Sequence, residues 1–341
     1  MKLSSFARKL NLMRVTGLAG LAVALLASCG GGDQIEKFVP DRIIVFGDEA
    51  SVIEADSHTP TNGGRKYTVN GVTRATDGTT LTTTRDCARN PIWVQVLAND
   101  YGYQFAECLT TAGATPRAFM RAQPYSTVAM MTAQITAYMA SPGFTDRDLV
   151  TVMVGTHDIV AALGTADPVA TVVARGTEVG EQVVRITNTG ARVIVATVPD
   201  VGSTPQGLAL GSAQAAQLST LTQRFNSAMR LKLQDVRGGG HSAGLVLGDE
   251  LVLVILRSPS SYGIVNTTQA ACAGGQPAVP PALPTPWTPN CDENSSFLTT
   301  EAATAGNRAN DWLWAGPYQL GANAQTRLGQ AAVYRARNNP F

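Results

Sequence analysis

Residues 42–46, 149–154 and 192–197 are three predominantly apolar, largely β-branched runs. Each stops at a glycine or a short polar turn: Gly47-Asp48, Gly155-Thr156-His157-Asp158 and Pro199-Asp200. A strand with one wet face alternates apolar and polar residues, whereas a uniformly apolar strand is covered on both sides, as in parallel sheets. The segments between carry helical spacing. Ile92, Trp93, Val96 and Leu97 follow Pro91, read as an N1 residue, and a helix is expected over 127–139. Asp167-Pro168 reads as an N-cap followed by proline at N1. Behind it Val172, Gly176, Val179, Val183 and Ile186 share one helix face until Gly190. Leu218, Leu221, Phe225 and Ala228 mark a further helix, and Gly238-Gly239-Gly240 breaks the chain before Leu245-Val246-Leu247. Strands alternating with helices predict an α/β fold, a doubly wound parallel sheet covered on both faces. Ligands in such sheets sit at the carboxyl ends of the strands, where all three polar turns fall.

The N-terminus predicts export. Lys2, Arg8, Lys9 and Arg14 precede an apolar run over 15–27, which is too short for a bilayer core that needs about 20 residues. Small residues lead to Leu26-Ala27-Ser28-Cys29, which resembles a bacterial lipobox. The resemblance implies a signal peptide over 1–28, cleavage before Cys29 and lipid attachment to its thiol. An ordinary signal peptide with an incidental cysteine is the alternative. Residues 29–40, with Gly30-Gly31-Gly32, then form a tether, and 41–341 a single domain. The membrane is the expected partner through this anchor. Gly30 after Cys29 resembles lipoproteins sent to the outer membrane of the cell envelope.

Four cysteines remain: Cys87, Cys108, Cys272 and Cys291. An even number in an oxidising compartment suggests two disulfides, with three connectivities open. Local pairing of Cys87 with Cys108 and Cys272 with Cys291 is expected, against four buried thiols. There is no Cys-x-x-Cys zinc signature. Lys and Arg total 26 and Asp and Glu 25, with no basic stripe, so nucleic acid is not an expected partner. Residues 57–88, rich in Thr, Gly and Asn, predict an excursion with at most a hairpin. A Pro-rich loop covers 276–289, where Trp287 anchors the loop or meets a ligand.

Four blocks, in order, carry a family resemblance. Phe46-Gly47-Asp48 after a strand resembles the Gly-Asp-Ser-Leu block of the SGNH/GDSL hydrolases. The stretch 149–158 resembles the Gly-x-Asn-Asp block. Pro199-Asp200-Val201-Gly202-Ser203-Thr204-Pro205 is similar to a turn common in the family's esterases. Trp312-Leu313-Trp314-Ala315-Gly316-Pro317-Tyr318 resembles the segment that holds Asp-x-x-His. The resemblance implies a flavodoxin-like sheet and an ester hydrolase. In that family a serine attacks the carbonyl, an asparagine and backbone amides stabilise the oxyanion, and a late histidine oriented by aspartate is the base.

Here each of those positions differs. Glu49 stands at the serine position, His157 at the asparagine position, and Ala315 and Tyr318 at the aspartate and histidine positions. The second block's glycine is not placed within 112–125. The chain has only three histidines, His58, His157 and His241, so no late Asp-x-x-His exists. The leading expectation is a catalytically degenerate envelope lipoprotein that binds a small molecule, glycan or protein at the former active-site edge. Its pocket residues would be Asp48, Glu49, Gly155, His157, Asp158 and Tyr318. The rival is an active carboxylester hydrolase in which Ser51 and His157, steered by Glu49 or Asp158, form a rearranged triad. A structural envelope protein without ligand is a third reading. A metal on Asp48, Glu49, His157 and Tyr318 has only spacing behind it, so neither metal nor cofactor is expected. The bland roles are a loop-capping Asp48, a hydrogen-bonded His157, a solvated Glu49 and an Asp158 that caps the helix following it.

Overall fold

A computed structural model describes residues 38–55, 64–109, 114–239, 243–272, 290–294, 297–304 and 308–338. Cys29 and the signal peptide expected over 1–28, the Pro-rich stretch 276–289 with Trp287, His58 and His241 lie outside the described residues. Five strands form one sheet: β1 (Arg42–Gly47), β2 (Ala118–Met120), β3 (Asp148–Met153), β4 (Arg192–Ala196) and β5 (Ala243–Val246). All pairings are parallel, in the order β2-β1-β3-β4-β5. This is the flavodoxin-type order. The chain winds one way from β1 and the other way from β3, so a crevice opens between the carboxyl ends of β1 and β3.

Strand pleating splits the apolar runs between two covered faces. Ile44, Phe46, Val150, Val152, Val193 and Val195 join one core cluster with residues of α2 (Val128–Ala140), α4 (Pro168–Thr187) and α5 (Ser212–Lys232). Ile43, Val45, Leu149 and Ile194 are equally buried on the other face. There α6 (Ala322–Asn338) packs on α1 (Trp93–Asp100) and along β4 and β5. Each such side chain contributes about 1.5–3 kcal/mol of burial.

The expected caps form: Thr127 accepts from the Met130 amide and Asp167 from the Ala170 amide, with Pro168 at the start of α4. Among the described residues no helix is long and apolar enough to cross a membrane. The disulfides take the local pairing, Cys87–Cys108 and Cys272–Cys291, with Cα separations of 5.5 and 6.0 Å.

Two expectations need correction, and one strand escaped the sequence. Helix α1 starts at Trp93 rather than at Pro91, because Gln95 Oε1 accepts from the Ile92 amide and fixes Ile92 as the cap. The excursion holds more than a hairpin. Val72–Arg74 pairs with Leu81–Arg85, and Ile53–Glu54 separately pairs with Arg65–Lys66. The Nζ of buried Lys66 donates to the carbonyls of Cys87, Arg89 and Asn90, tying the excursion down. Strand β2 was not foreseen, since three residues give no readable period. It pairs Ala118, Phe119 and Met120 with Ile43, Ile44 and Val45.

Candidate functional site

The crevice between β1 and β3 is floored by two glycines. Gly47 ends β1 with φ 144°, and a Cβ there would lie 2.0 Å from the Met153 carbonyl oxygen. Gly155 follows β3 with φ 136°, and its Cβ would lie 2.4 Å from the Phe225 ring. Both positions combine a left-handed backbone with no room for a side chain, which only glycine tolerates. They turn the chain so that Glu49 and His157 meet above the sheet edge.

Glu49 opens a short 3₁₀ turn, Glu49–Ser51, and His157 lies in the first turn of α3 (Thr156–Ala162). The His157 Nε2 is 2.8 Å from Glu49 Oε1 and 2.9 Å from Oε2. The Tyr125 amide donates to Oε2 at 2.9 Å, and the Gln319 Nε2 donates to Oε1 at 3.0 Å. Glu49 and His157 are 3% and 4% exposed, so the bland reading of Glu49 as a solvated loop carboxylate is overturned: the turn directs it inward. Burial by itself would raise the Glu49 carboxyl. The charge and hydrogen bond of His157, with backbone amides, reverse that and hold it down at about 2. Burial would lower His157, yet Glu49 dominates and lifts the imidazole to about 9. The pair is therefore a buried carboxylate–imidazolium ion pair at neutral pH.

Each flanking element positions one donor. The chain beyond β2 continues along β1, with the Gln123 amide donating to the Gly47 carbonyl, which carries Tyr125 to Glu49. Tyr125 adopts a left-handed backbone (φ 61°), rare for a residue with a side chain. Its ring meets His157 edge-on at 5.6 Å and Tyr67 at 6.2 Å. Gln319 is locked by a turn in which its carbonyl accepts from Ala315 and Gly316, while its Oε1 accepts from the Tyr318 amide. Neither Tyr125 nor Gln319 was picked out from sequence. Gln319 adjoins Tyr318, so the segment was legible but the contacting residue lies one place further on. Tyr318 is half-buried beside this centre, and burial followed by the Glu49 charge pushes its phenol up.

The remaining candidates take structural roles. Asp48 caps the turn, accepting from the Ala50 amide at 3.1 Å. Burial and then the charge of Glu49 push it up to about 8, which keeps it protonated at neutral pH. Asp158 does not cap its own helix, whose N-cap is Gly155. Its Oδ2 instead accepts from the Val128 amide at 2.9 Å, satisfying the first turn of α2. The Ser51 Oγ, fully buried, accepts from Trp93 Nε1 at 3.0 Å. Gln325 accepts from the Trp93 amide and donates to the Ala50 carbonyl, pinning the same loop from α6. The structure thus joins His157 to Glu49 and turns Ser51 towards α1. Asp200 caps its turn, accepting from the Gly202 amide and from Ser219. Among the described residues no group of three His, Cys, Asp or Glu side chains could hold a metal ion.

No protein-family model matches the sequence, and no curated protein does either. Solved structures do. An acetyl-xylooligosaccharide esterase variant from Geobacillus is matched at TM-score 0.44 and 9% identity, over 89% of this chain and 96% of that one. A lipolytic protein of the G-D-S-L family from Veillonella parvula is matched at 0.40 and 10%, over 86% and 96%. An extracellular lipase from Streptomyces rimosus is matched at 0.38 and 14%, over 88% and 99%. At these identities and TM-scores the likeness says nothing of activity. What the structure itself shows is an α/β fold built on a five-stranded parallel sheet of flavodoxin-type order.

Proposed function

We propose that this chain is an exported, lipid-anchored envelope protein of SGNH type that has given up ester hydrolysis and binds a ligand or partner at the former active-site edge. One observation carries the reading. Glu49, at the position where the resemblance puts the nucleophile, accepts from His157 and the Tyr125 amide. His157 stands at the asparagine position, so a side-chain donor and a backbone amide of the kind that would face a reaction oxyanion are spent on an internal carboxylate. A carboxylate bound by an imidazolium and held near pKa 2 is also a poor nucleophile and a poor base at neutral pH. The sequence supplies no histidine beyond 241 to activate a hydroxyl.

The rival esterase reading needs Ser51, whose oxygen is taken up by Trp93. The deciding experiment treats the exported portion with a fluorophosphonate probe and p-nitrophenyl acetate. The proposal expects no covalent adduct and no turnover above buffer. An adduct on Ser51, abolished in Ser51→Ala, overturns it. The lipid anchor is tested apart: Cys29→Ala should release the protein from membranes, and unchanged fractionation rejects the anchor.

A further inference from the structure

We infer that the cleft between the end of β2 and helix α2 is a second site, separate from the Glu49 centre, for a small carboxylate that also bears hydroxyl groups. The cleft holds about 380 Å³, within the range of small-molecule pockets. Its charge comes from Arg121, whose guanidinium lies 5.6 Å from the centre of the Tyr138 ring. No ion pair to Arg121 forms among the described residues; Glu107 is the acid within its electrostatic reach, half-buried and itself raised by burial. One cation that is exposed and only partly compensated suits one carboxylate, and Arg is the side chain best shaped to grip it in two places.

The second observation is independent of charge. Gln134 lines the cleft, and one end of its amide bonds to the Ser126 Oγ at 3.2 Å. The other end is buried with no partner. Turning the amide over exchanges which end is unpaired but never satisfies both. An unpaired buried amide end costs about 1–3 kcal/mol, and a ligand hydroxyl that draws the part-exposed Gln134 side chain outward into the cleft to pair with it gains that amount back. Gln123 and Ser141 add polar rim, while Met120, Ala137 and the covered face of Tyr138 give an apolar floor. The site lies along the outer flank of β2 rather than over the β1–β3 crevice, so its ligand does not touch Glu49.

Calorimetric titration of the intact protein with D-glucuronate tests this, with D-glucose supplying hydroxyls alone and acetate charge alone. Glucuronate should bind at least tenfold more tightly than either. Arg121→Ala should weaken it tenfold or more, and Gln134→Leu several-fold, while Glu49→Gln leaves it unchanged. Equal binding of the three probes, binding indifferent to Arg121, or no heat from glucuronate at millimolar concentration overturns the site. Because Arg121 and Gln134 lie outside the Glu49 network, failure here leaves the reading of that centre intact.

Discussion

Replacing Glu49 with alanine should destabilise the protein by about 3–5 kcal/mol, the range for removing one member of a buried ion pair. The local geometry says where in that range the loss falls. Glu49 accepts from His157, the Tyr125 amide and Gln319, so its removal strands three donors in a place closed to water. The imidazole can relieve part of this by losing its proton. The loss should therefore lie near about 3 kcal/mol at pH 8 and nearer 5 at pH 5, where neutralising the ring is harder. Urea denaturation at both pH values, with unchanged slope, reads the difference. The variant also contains an empty carboxylate-sized hole lined by those donors. Acetate at ten times its dissociation constant should restore about 1.4 kcal/mol, by RT ln(1 + [L]/Kd), and leave the parent protein unmoved. Chloride at equal ionic strength is the control. A loss under 1 kcal/mol, or acetate acting no better than chloride, refutes the idea that the centre is organised around a bound carboxylate.

Other perturbations follow from the same contacts. The folded Glu49 carboxyl is depressed, so its contribution is present above about pH 4.3 and fades as pH falls towards 2. The folded His157 is raised, so its contribution is present below about pH 6.5 and fades as pH rises through 9. The stability advantage of the parent over a Glu49→Gln, His157→Asn double variant should thus be widest between about pH 4.5 and 6.5 in denaturant titrations. Ser51→Ala leaves the Trp93 indole without its acceptor and should cost about 1–2 kcal/mol in the same assay, with no effect on any background esterase rate. Gly155→Ala forces a left-handed backbone and a Cβ at 2.4 Å from the Phe225 ring. It should lower the melting temperature by about 5 °C or more in a thermal scan. Cys272→Ser with Cys291→Ser opens a loop of 19-residue separation and should cost about 3 kcal/mol by chemical denaturation.

The architecture was readable because burial on two faces leaves a continuous apolar signature. β1, β3 and β4 announced themselves this way, and Asp167-Pro168 marked the start of α4 through its own cap chemistry. β2 escaped because three residues on a sheet edge need no pattern beyond the pairing itself. The centre was half readable. Glu49 and His157 were identified as replacements, and a turn after each strand end placed them at one edge. Their pairing entered only as one arm of a Ser51–His157 triad, since a carboxylate beside a strand end reads equally well as a solvated loop. Tyr125 takes part through its backbone amide, which no side-chain motif encodes. Gln319 depends on a turn whose hydrogen bonds are local, so a register read from a degenerate motif falls one residue short. Asp158 shows the opposite error: a residue ahead of a helix-like run suggests a cap for that run, whereas its oxygen serves the helix beside it.

The charge state of His157 is the sharpest probe of the centre, and the chain's three histidines make its imidazole easy to assign by NMR with a His157→Asn control. The Glu49 bond requires the ring to remain protonated through neutral pH and to release its proton only near pH 9. A ring that titrates at or below about 6.5, the value of an unpartnered histidine, would mean that no ion pair closes this edge.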